Sequence, residues 1–347
     1  MNTRRNAEAL AVEVAVVIVN YATPELTVQA VASLSGERKR LPKLKAVVVD
    51  GGSPDQSAAL LRKALGKPEY RDWVTFLPLA LNGGFGWANN QAILALARQD
   101  RPPKFIHLLN PDTKVTTGAV LALVRELKAH PECAAAGSQL LHPDGTPAAS
   151  AFRFPSAGRE LIAAAQSEKL GRLLRIPATV VKSAGGTEVD WVTGASFMIR
   201  ADALRNSGLF DDGFFLYFEE VELMHRFHRH GWTVRHVPES RVVHFEGAAT
   251  GLGAGSEPRP YPAYWYLSRR RYFGLTGGRA AVLWSGLAAV AGQAIASVKQ
   301  VADRNRRSTA VRIRDLVRNA LPTAADLRPS APKWGDAPGN PPAWMNR

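Results

Sequence analysis

Short apolar runs alternate with amphipathic stretches over the first 130 residues. Val14–Val19, Leu44–Asp50, Val74–Pro78 and Phe105–Leu109 are rich in β-branched and aliphatic residues, the pattern of strands buried on both faces. Pro24–Leu34, Asp55–Leu65, Trp87–Arg98 and Gly118–His130 instead repeat apolar residues at helical spacing. Such alternation predicts βαβ units, hence an α/β fold with a mostly parallel sheet and flanking helices. Ligands of such sheets bind beyond the carboxyl ends of the strands. The polar clusters fall there: Asn20-Tyr21, Asp50-Gly51-Gly52-Ser53, Asn82-Gly83-Gly84 and Asn110-Pro111-Asp112. Four strand ends meeting at one edge describe a nucleotide cleft.

The pattern becomes mixed beyond residue 131. Trp191–Ile199 reads as a strand, Tyr217–His230 as a helix stopped by Gly231, and Gly247–Pro262 as a flexible loop. The segment from Pro322 onward is rich in Pro and Ala and reads as a disordered tail.

Composition adds two points. The single cysteine, Cys133, cannot form an internal disulfide and lies in an apolar run, so a buried thiol in a reducing compartment is expected. No secretory signal is visible, because the Val14–Val19 run is short and ends in Asn20-Tyr21. The net charge of +14 is uneven: residues 251–347 hold 15 Lys/Arg and 5 Asp/Glu, so +10 lies there. A near-neutral body with a basic extension suits an anionic partner. No RNP, KH or helix-turn-helix pattern accompanies that charge, which argues against nucleic acid.

Four segments carry candidate chemistry. Asp50, at a strand end before two glycines, can accept a hydrogen bond from a pyrimidine imide, while Asp55 can cap the next helix. Asn82-Gly-Gly-Phe-Gly86-Trp-Ala-Asn89-Asn90 exposes backbone N–H groups and a helix N-terminus, both suited to a diphosphate; a capped tight turn is the plain alternative. Asp112, just past a buried strand, can ligate a hard cation whose shell phosphate and water complete, and Asn110 can reach the ribose. Asp211 to Arg226 sets aromatic residues against Glu219, Glu220 and Glu222 at a helix start. There, crowded carboxylates raise one another's pKa and suit a general base. The plain alternative is an acidic first turn with a Glu222–Arg226 ion pair. His244, at the end of an apolar strand, is a candidate second metal contact.

Together these segments resemble family 2 glycosyltransferases of the GT-A fold, especially their rhamnosyltransferase-like branch. The order matches over about residues 12–275: Val17-Ile-Val-Asn-Tyr21, Val49-Asp50-x-x-Ser53-x-Asp55, Asn82-x-Gly84-Phe-Gly-x-Ala-Asn-Asn90 and Leu109-Asn-Pro-Asp-Thr113, then Trp191-Val-Thr-Gly-Ala195 and Phe214 to Leu223. The resemblance implies a Rossmann-like sheet, and a nucleotide-sugar donor contacted by Asn20, Asp50, Asn82, Gly84, Asn89, Asn110 and Asp112. It implies a divalent metal, Mg²⁺ or Mn²⁺, on Asp112 and His244. Trp191, Gly194, Tyr217 and Glu219 would line the sugar and acceptor pocket, and Glu220 would be the catalytic base of an inverting transfer. dTDP-rhamnose is the expected donor and a UDP-hexose its rival; a catalytically silent sugar-nucleotide-binding subunit is the reading from another class. Gly51 replaces the family's usual Asn, and Glu220 and Glu222 replace its usual Asp.

The expected domains are a catalytic body over 1–275, a basic helical extension over 276–321 and the tail over 322–347. Ala280–Val298 is 19 residues without a charged side chain, read as a buried or interfacial helix rather than a span. Ile313, Leu316, Val317, Ala320 and Leu321 form an apolar stripe opposite Arg304, Arg307, Arg314 and Arg318, suited to an anionic membrane surface. A cytoplasmic enzyme peripheral to the inner face of the membrane, acting on a glycan or lipid-linked acceptor, is the resulting expectation. Oligomeric state is not legible.

Overall fold

The computed structural model describes residues 13–182, 185–245, 261–299 and 313–346. The chain enters as β1 (Val14–Asn20), turns through α1 (Pro24–Ser33) and the single-turn α2 (Ser35–Arg38), and returns as β2 (Leu44–Asp50). α3 (Ser57–Leu65), β3 (Val74–Pro78), α4 (Phe85–Ala97) and β4 (Phe105–Leu109) repeat the pattern. Then come β5 (Thr113–Val115), α5 (Ala119–Ala129), β6 (Cys133–Leu141), β7 (Ala151–Phe152), α6 (Ala157–Ala165) and α7 (Glu168–Leu173). β8 (Thr187–Glu188), β9 (Trp191–Val192), β10 (Ser196–Arg200), α8 (Ala201–Ser207), α9 (Glu219–Arg229) and β11 (Thr233–His244) complete the body. α10 (Ala263–Lys299) follows, bent where Gly278 takes φ 68°.

The sheet runs β3-β2-β1-β4-β10-β6-β11-β5, with β8 on β11. β1 to β4 are mutually parallel, β10 is antiparallel to β4 and β6, and β5 is antiparallel to β11. The chain leaves β1 toward β2 on one side and returns to it as β4 on the other. The crevice between the ends of β1 and β4 is therefore the topological switch point where α/β sheets bind ligands. The run of β-branched residues in β1 explains its central place: Val14, Val16 and Ile18 fill the core on one face, Ala15 and Val17 that on the other. Cys133 is buried in β6, and burial pushes its thiol up to about 12, so it stays protonated.

Two expected elements are shorter than their sequence patterns. Trp191–Ile199 is broken at Thr193–Ala195 into β9, which pairs with β7 in a separate ribbon, and β10 in the main sheet. Tyr217–His230 starts its helix only at Glu219, because Tyr217 and Phe218 take φ of 70° and 69°.

The tail departs most from its reading. Residues 322–346, expected to be disordered, pack along the body. Leu209 N–H donates to the Pro332 carbonyl at 2.9 Å, and Gly339 N–H to Gln91 Oε1 at 2.6 Å. Trp334 lies against the core, with the Arg205 guanidinium 4.7 Å from its ring. A Pro-Ala count overlooks such tryptophan anchors. Arg271 of α10, fully buried, pairs with Asp211 at 2.6 Å and also donates to the Ala325 and Arg328 carbonyls. The Asp211 carboxylate in turn accepts from Ser330 N–H at 2.6 Å.

Candidate active site

The ends of β1 and β2 form one wall. Asn20 is fully buried and donates from Nδ2 to Asp50 Oδ1 at 2.7 Å, while its Oδ1 accepts from Thr27 Oγ1 at 2.9 Å. Asp50 also accepts from the Ser53 hydroxyl at 2.6 Å and the Ser53 amide at 3.2 Å. Asn20 thus orients Asp50 rather than facing the crevice. Tyr21 and Gly51 beside them line a cavity of about 270 Å³, together with Asn82, Gly84, Phe85, Asn110, Pro111, Phe215, Leu216 and Tyr264.

The Asn82 loop supplies the next wall. Asn82 Oδ1 accepts from Gly84 N–H at 3.1 Å, an Asx-type turn that leads into α4. Gly84 takes φ 90°, and a Cβ there would lie 1.9 Å from the Phe215 carbonyl oxygen, so only glycine fits. That carbonyl accepts from Phe85 N–H at 3.1 Å. Asn89 lies elsewhere: it is buried and donates to the Phe85 carbonyl at 2.9 Å inside α4, holding the helix start. Its neighbour Asn90 binds Asp212 at 2.7 Å and the Phe210 carbonyl at 2.8 Å, which fastens α4 to the segment leading into α9.

Beyond β4, Asn110 is tied by its N–H to the Ala195 carbonyl at 2.9 Å. Asp112 is nearly buried, and His244 Nε2 lies 3.2 Å from its Oδ1. The pairing of β5 with β11 sets Thr113 opposite His244, which brings these two side chains together. Among the described residues no hydrogen bond reaches Asp112 Oδ1 or His244 Nδ1. An unsatisfied buried carboxylate oxygen beside an imidazole nitrogen fits a divalent cation. No cluster of three or more His, Cys, Asp or Glu suited to a metal occurs among the described residues. Two protein ligands suffice for an ion whose other ligands are phosphate and water.

The carboxylates come from a strained turn. Consecutive left-handed residues without glycine cost roughly 1–3 kcal/mol each and persist only where packing holds them. Here α10 holds them: Tyr217 stacks on Tyr264 at 6.0 Å, and Phe218 meets Trp265 edge-on at 5.8 Å. Phe215 meets Tyr264 at 5.3 Å. The turn delivers Glu219 and Glu220 into the first turn of α9. Glu219 is buried and its Cβ lies 3.5 Å from where a Cβ on Gly86 would sit. Glu220 turns the other way: its Oε1 is 3.4 Å from the corresponding point on Gly194, and the Gly194 backbone supports its carboxylate. Burial raises the pKa of both, and the neighbouring Glu220 charge raises Glu219 further. Backbone hydrogen bonds at Glu220, Val221 and Gly194 oppose the rise at Glu220. The pair therefore retains a proton more readily than an ordinary glutamate, with Glu220 the less perturbed member. Burial also pushes the Tyr217 hydroxyl up to about 12, so it serves as a donor.

Glu222 has another role. It makes a two-pronged pair with Arg226, 2.8 Å at each contact, and Arg226 donates onward to the Ser207 and Leu209 carbonyls. Trp191 stacks on Phe152 at 4.4 Å, and its indole N–H is engaged by the Arg153 carbonyl at 3.1 Å. Of the residues expected to line the sugar and acceptor pocket, none of Trp191, Gly194, Tyr217 and Glu219 lines the cavity that holds Asn110. Sequence reasoning missed Phe215, Leu216 and Tyr264 as cavity walls. The aromatic run Tyr261 to Tyr266 was the available signal.

Residues 15–206 match the family Glycosyl transferase family 2. An N-acetylglucosaminyl-diphospho-decaprenol L-rhamnosyltransferase of Mycobacterium tuberculosis is 29% identical over 255 residues, 70% of this chain and 78% of that protein. The rhamnosyltransferase WbbL of Escherichia coli K12 is 28% identical over 169 residues, 47% of this chain and 61% of that one. Among solved structures, the mannosyltransferase PcManGT of Pyrobaculum calidifontis, in complex with GDP-Man and Mn²⁺, matches at TM-score 0.52 and 14% identity, over 90% of this chain and 87% of that chain. GalNAc-T7 with UDP, GalNAc and Mn²⁺ matches at TM-score 0.52 and 16% identity, over 76% of this chain and 50% of that chain.

Proposed function

We propose, from the premise that this chain belongs to glycosyl transferase family 2 and is a glycosyltransferase of GT-A fold, that it moves rhamnose from dTDP-rhamnose to a hydroxyl of a lipid-linked glycan, with inversion. One observation carries the reading: the cavity at the β1/β4 switch point is walled by Asn110–Pro111, directly before the buried Asp112 that pairs with His244, and by Phe215–Leu216, directly before the turn that delivers Glu219 and Glu220. The likeness to relatives named for rhamnosyl transfer, one of them to a decaprenyl-linked acceptor, supports the donor and acceptor classes. The work would lie at the cytoplasmic face of a membrane, in polysaccharide or cell-wall assembly.

In this mechanism Asp50 orients the base and the Asn82–Gly84 loop borders the nucleotide. Asp112 and His244 would hold Mg²⁺ or Mn²⁺, which supplies charge neutralisation for the departing diphosphate. Glu220 takes the proton of the acceptor hydroxyl as its oxygen bonds to the anomeric carbon and the bond to the diphosphate oxygen breaks on the opposite side. Glu219, buried and holding its proton more tightly than an ordinary glutamate, keeps a second negative charge away from Glu220. Tyr217 and Gly194 shape the space where sugar and acceptor meet.

Turnover of dTDP- and UDP-sugars by the purified protein, with Mg²⁺, with Mn²⁺ and with excess EDTA, tests the reading. The expected result is preference for dTDP-rhamnose and loss of transfer in EDTA and in Asp112→Ala. Preference for a UDP-hexose rejects the donor, and full activity in EDTA or in Asp112→Ala rejects the metal assignment.

A further inference from the structure

The second half of α10 is turned inside out relative to a helix that meets water. Its inward face is made of small residues. Val282, Ser285, Ala289, Gly292 and Ala296 are buried, and a Cβ on Gly292 would lie 2.5 Å from the Leu161 carbonyl of α6. Close backbone contact at Gly292 fastens this helix to α6; Ala263–Val298 is long and apolar enough to cross a membrane, and a third of its apolar window is buried against the body. The outward face carries Leu283, Trp284, Leu287, Ala291, Ala294 and Val298, with Trp284 66% and Val298 75% exposed. No charged residue interrupts it from Ala280 to Val298, a length of about 28 Å. A surface helix ordinarily points polar residues outward. Here Ser285 is buried instead.

We infer that this face is a bilayer-contacting surface, on which the helix lies in the plane of an anionic phospholipid monolayer with Trp284 in the headgroup region. Charge on both ends decides the occupant. Arg279 stands at one end of the stripe. In the sequence, the stripe is followed by residues 299–318, which hold seven Lys/Arg and two Asp/Glu, a net +5. An apolar strip framed by cations is complementary to anionic lipid, whereas a second copy of the chain would bring like charge against like. The helix 313–318 adds to the same region rather than acting alone. Its Leu316 is buried against Tyr266 and Ala289 of α10, while Val317 and Leu321 remain exposed. The stripe read from sequence at 313–321 is therefore split, one part docked and one part free. Arg304 and Arg307 of that reading lie outside the described residues.

This surface deepens the proposed action on a lipid-linked acceptor, yet its test needs neither donor nor acceptor. The full chain is floated with vesicles of phosphatidylcholine alone and of phosphatidylcholine with phosphatidylglycerol. The expected result is binding to the anionic vesicles only, with a blue shift of tryptophan emission that Trp284→Phe removes. The double substitution Trp284→Glu with Leu287→Glu, both at exposed positions, is expected to reduce vesicle binding at least about tenfold while the melting temperature stays unchanged. Arg314→Gln with Arg318→Gln should weaken binding at low salt and flatten its salt dependence. Equal binding to neutral and anionic vesicles, undiminished binding by the double glutamate variant, or a dimer that this variant dissociates would each overturn the inference. Vesicle binding by a protein that turns over no dTDP-sugar would leave this surface standing and remove the proposed function instead.

Discussion

Trp87 and Trp344 hold one loop from two sides. The Trp87 indole N–H donates to the Asn340 carbonyl at 2.8 Å, and the Trp344 indole N–H donates to the Gly83 carbonyl at 2.9 Å. Gly83 lies so flat on the Trp87 ring that a Cβ there would come within 2.2 Å of it. Trp344 also meets the Phe215 ring edge-on at 5.1 Å, so it supports both sides of the Gly84–Phe215 seam.

Trp344→Ala should therefore raise the donor KM by about tenfold, the equivalent of roughly 1.5 kcal/mol for one hydrogen bond and one ring contact. kcat should change much less, because Glu220 is held by Gly194 and α9. Trp344→Phe keeps the ring and loses the N–H, so its effect should be intermediate. Steady-state kinetics with varied donor checks this; an equal fall in kcat with KM unmoved would refute it.

Glu220→Gln keeps shape but cannot accept a proton, so turnover should fall about 10²–10⁴-fold with donor affinity retained. In the parent enzyme the raised pKa of Glu220 places the acid limb of the rate profile above the ordinary glutamate range, and activity falls as pH drops through it. Glu219→Gln removes a carboxyl that contributes no charge beside Glu220 and should leave that limb, and most of the turnover, in place. Rate profiles of the three proteins decide which carboxylate is the base.

Asp212 titrates at about 7, raised by burial first and by Asp211 after, against the opposing hydrogen bond from Asn90. Its protonated form favours the folded state. That contribution is complete below about pH 4 and is lost as pH rises through about 7, a span of about three pH units worth at most roughly 4 kcal/mol. Asp212→Asn keeps an acceptor for Asn90 and cannot ionise. Urea unfolding at pH 5 and pH 8 should show a smaller loss of stability at the higher pH for the variant than for the parent.

Gly84→Ala should cost well over about 3 kcal/mol of stability or local order, because a methyl group meets the Phe215 carbonyl and φ is left-handed there. Thermal melting and donor titration on the variant report the two effects separately. A variant with parental melting and donor affinity would show that the seam can open at no cost.

Much of this was legible in the sequence because it is local. The β-branched runs gave β1 to β4, and the polar residues after each run gave Asn82, Asn110 and Asp112 their places. The glycine-rich loop at 82–86 was legible as a backbone turn, and the Phe215 carbonyl against Gly84 shows why a glycine must stand there. What escaped is what depends on distant partners. Asn20 and Asn89 look like free donors until Asp50 and the Phe85 carbonyl take up their amides. Tyr217 fits a helical pattern and is nevertheless left-handed, because Tyr264, forty-seven residues later, stacks on it. Composition could not place the tail, since two tryptophans outweigh many prolines.

The Arg271–Asp211 contact has a consequence for recombination. One buried guanidinium binds the loop before α9, and through Ala325, Arg328 and Ser330 it also binds chain more than fifty residues further on. A chimera that joins the body of one relative to the extension of another leaves at least one of these groups without its counterpart, and stranding a buried charge costs about 3–5 kcal/mol. Inheritance of body and extension should therefore be linked. Functional hybrids would be recovered only where the crossover carries the aspartate, the arginine and the residues near 325–330 from the same parent.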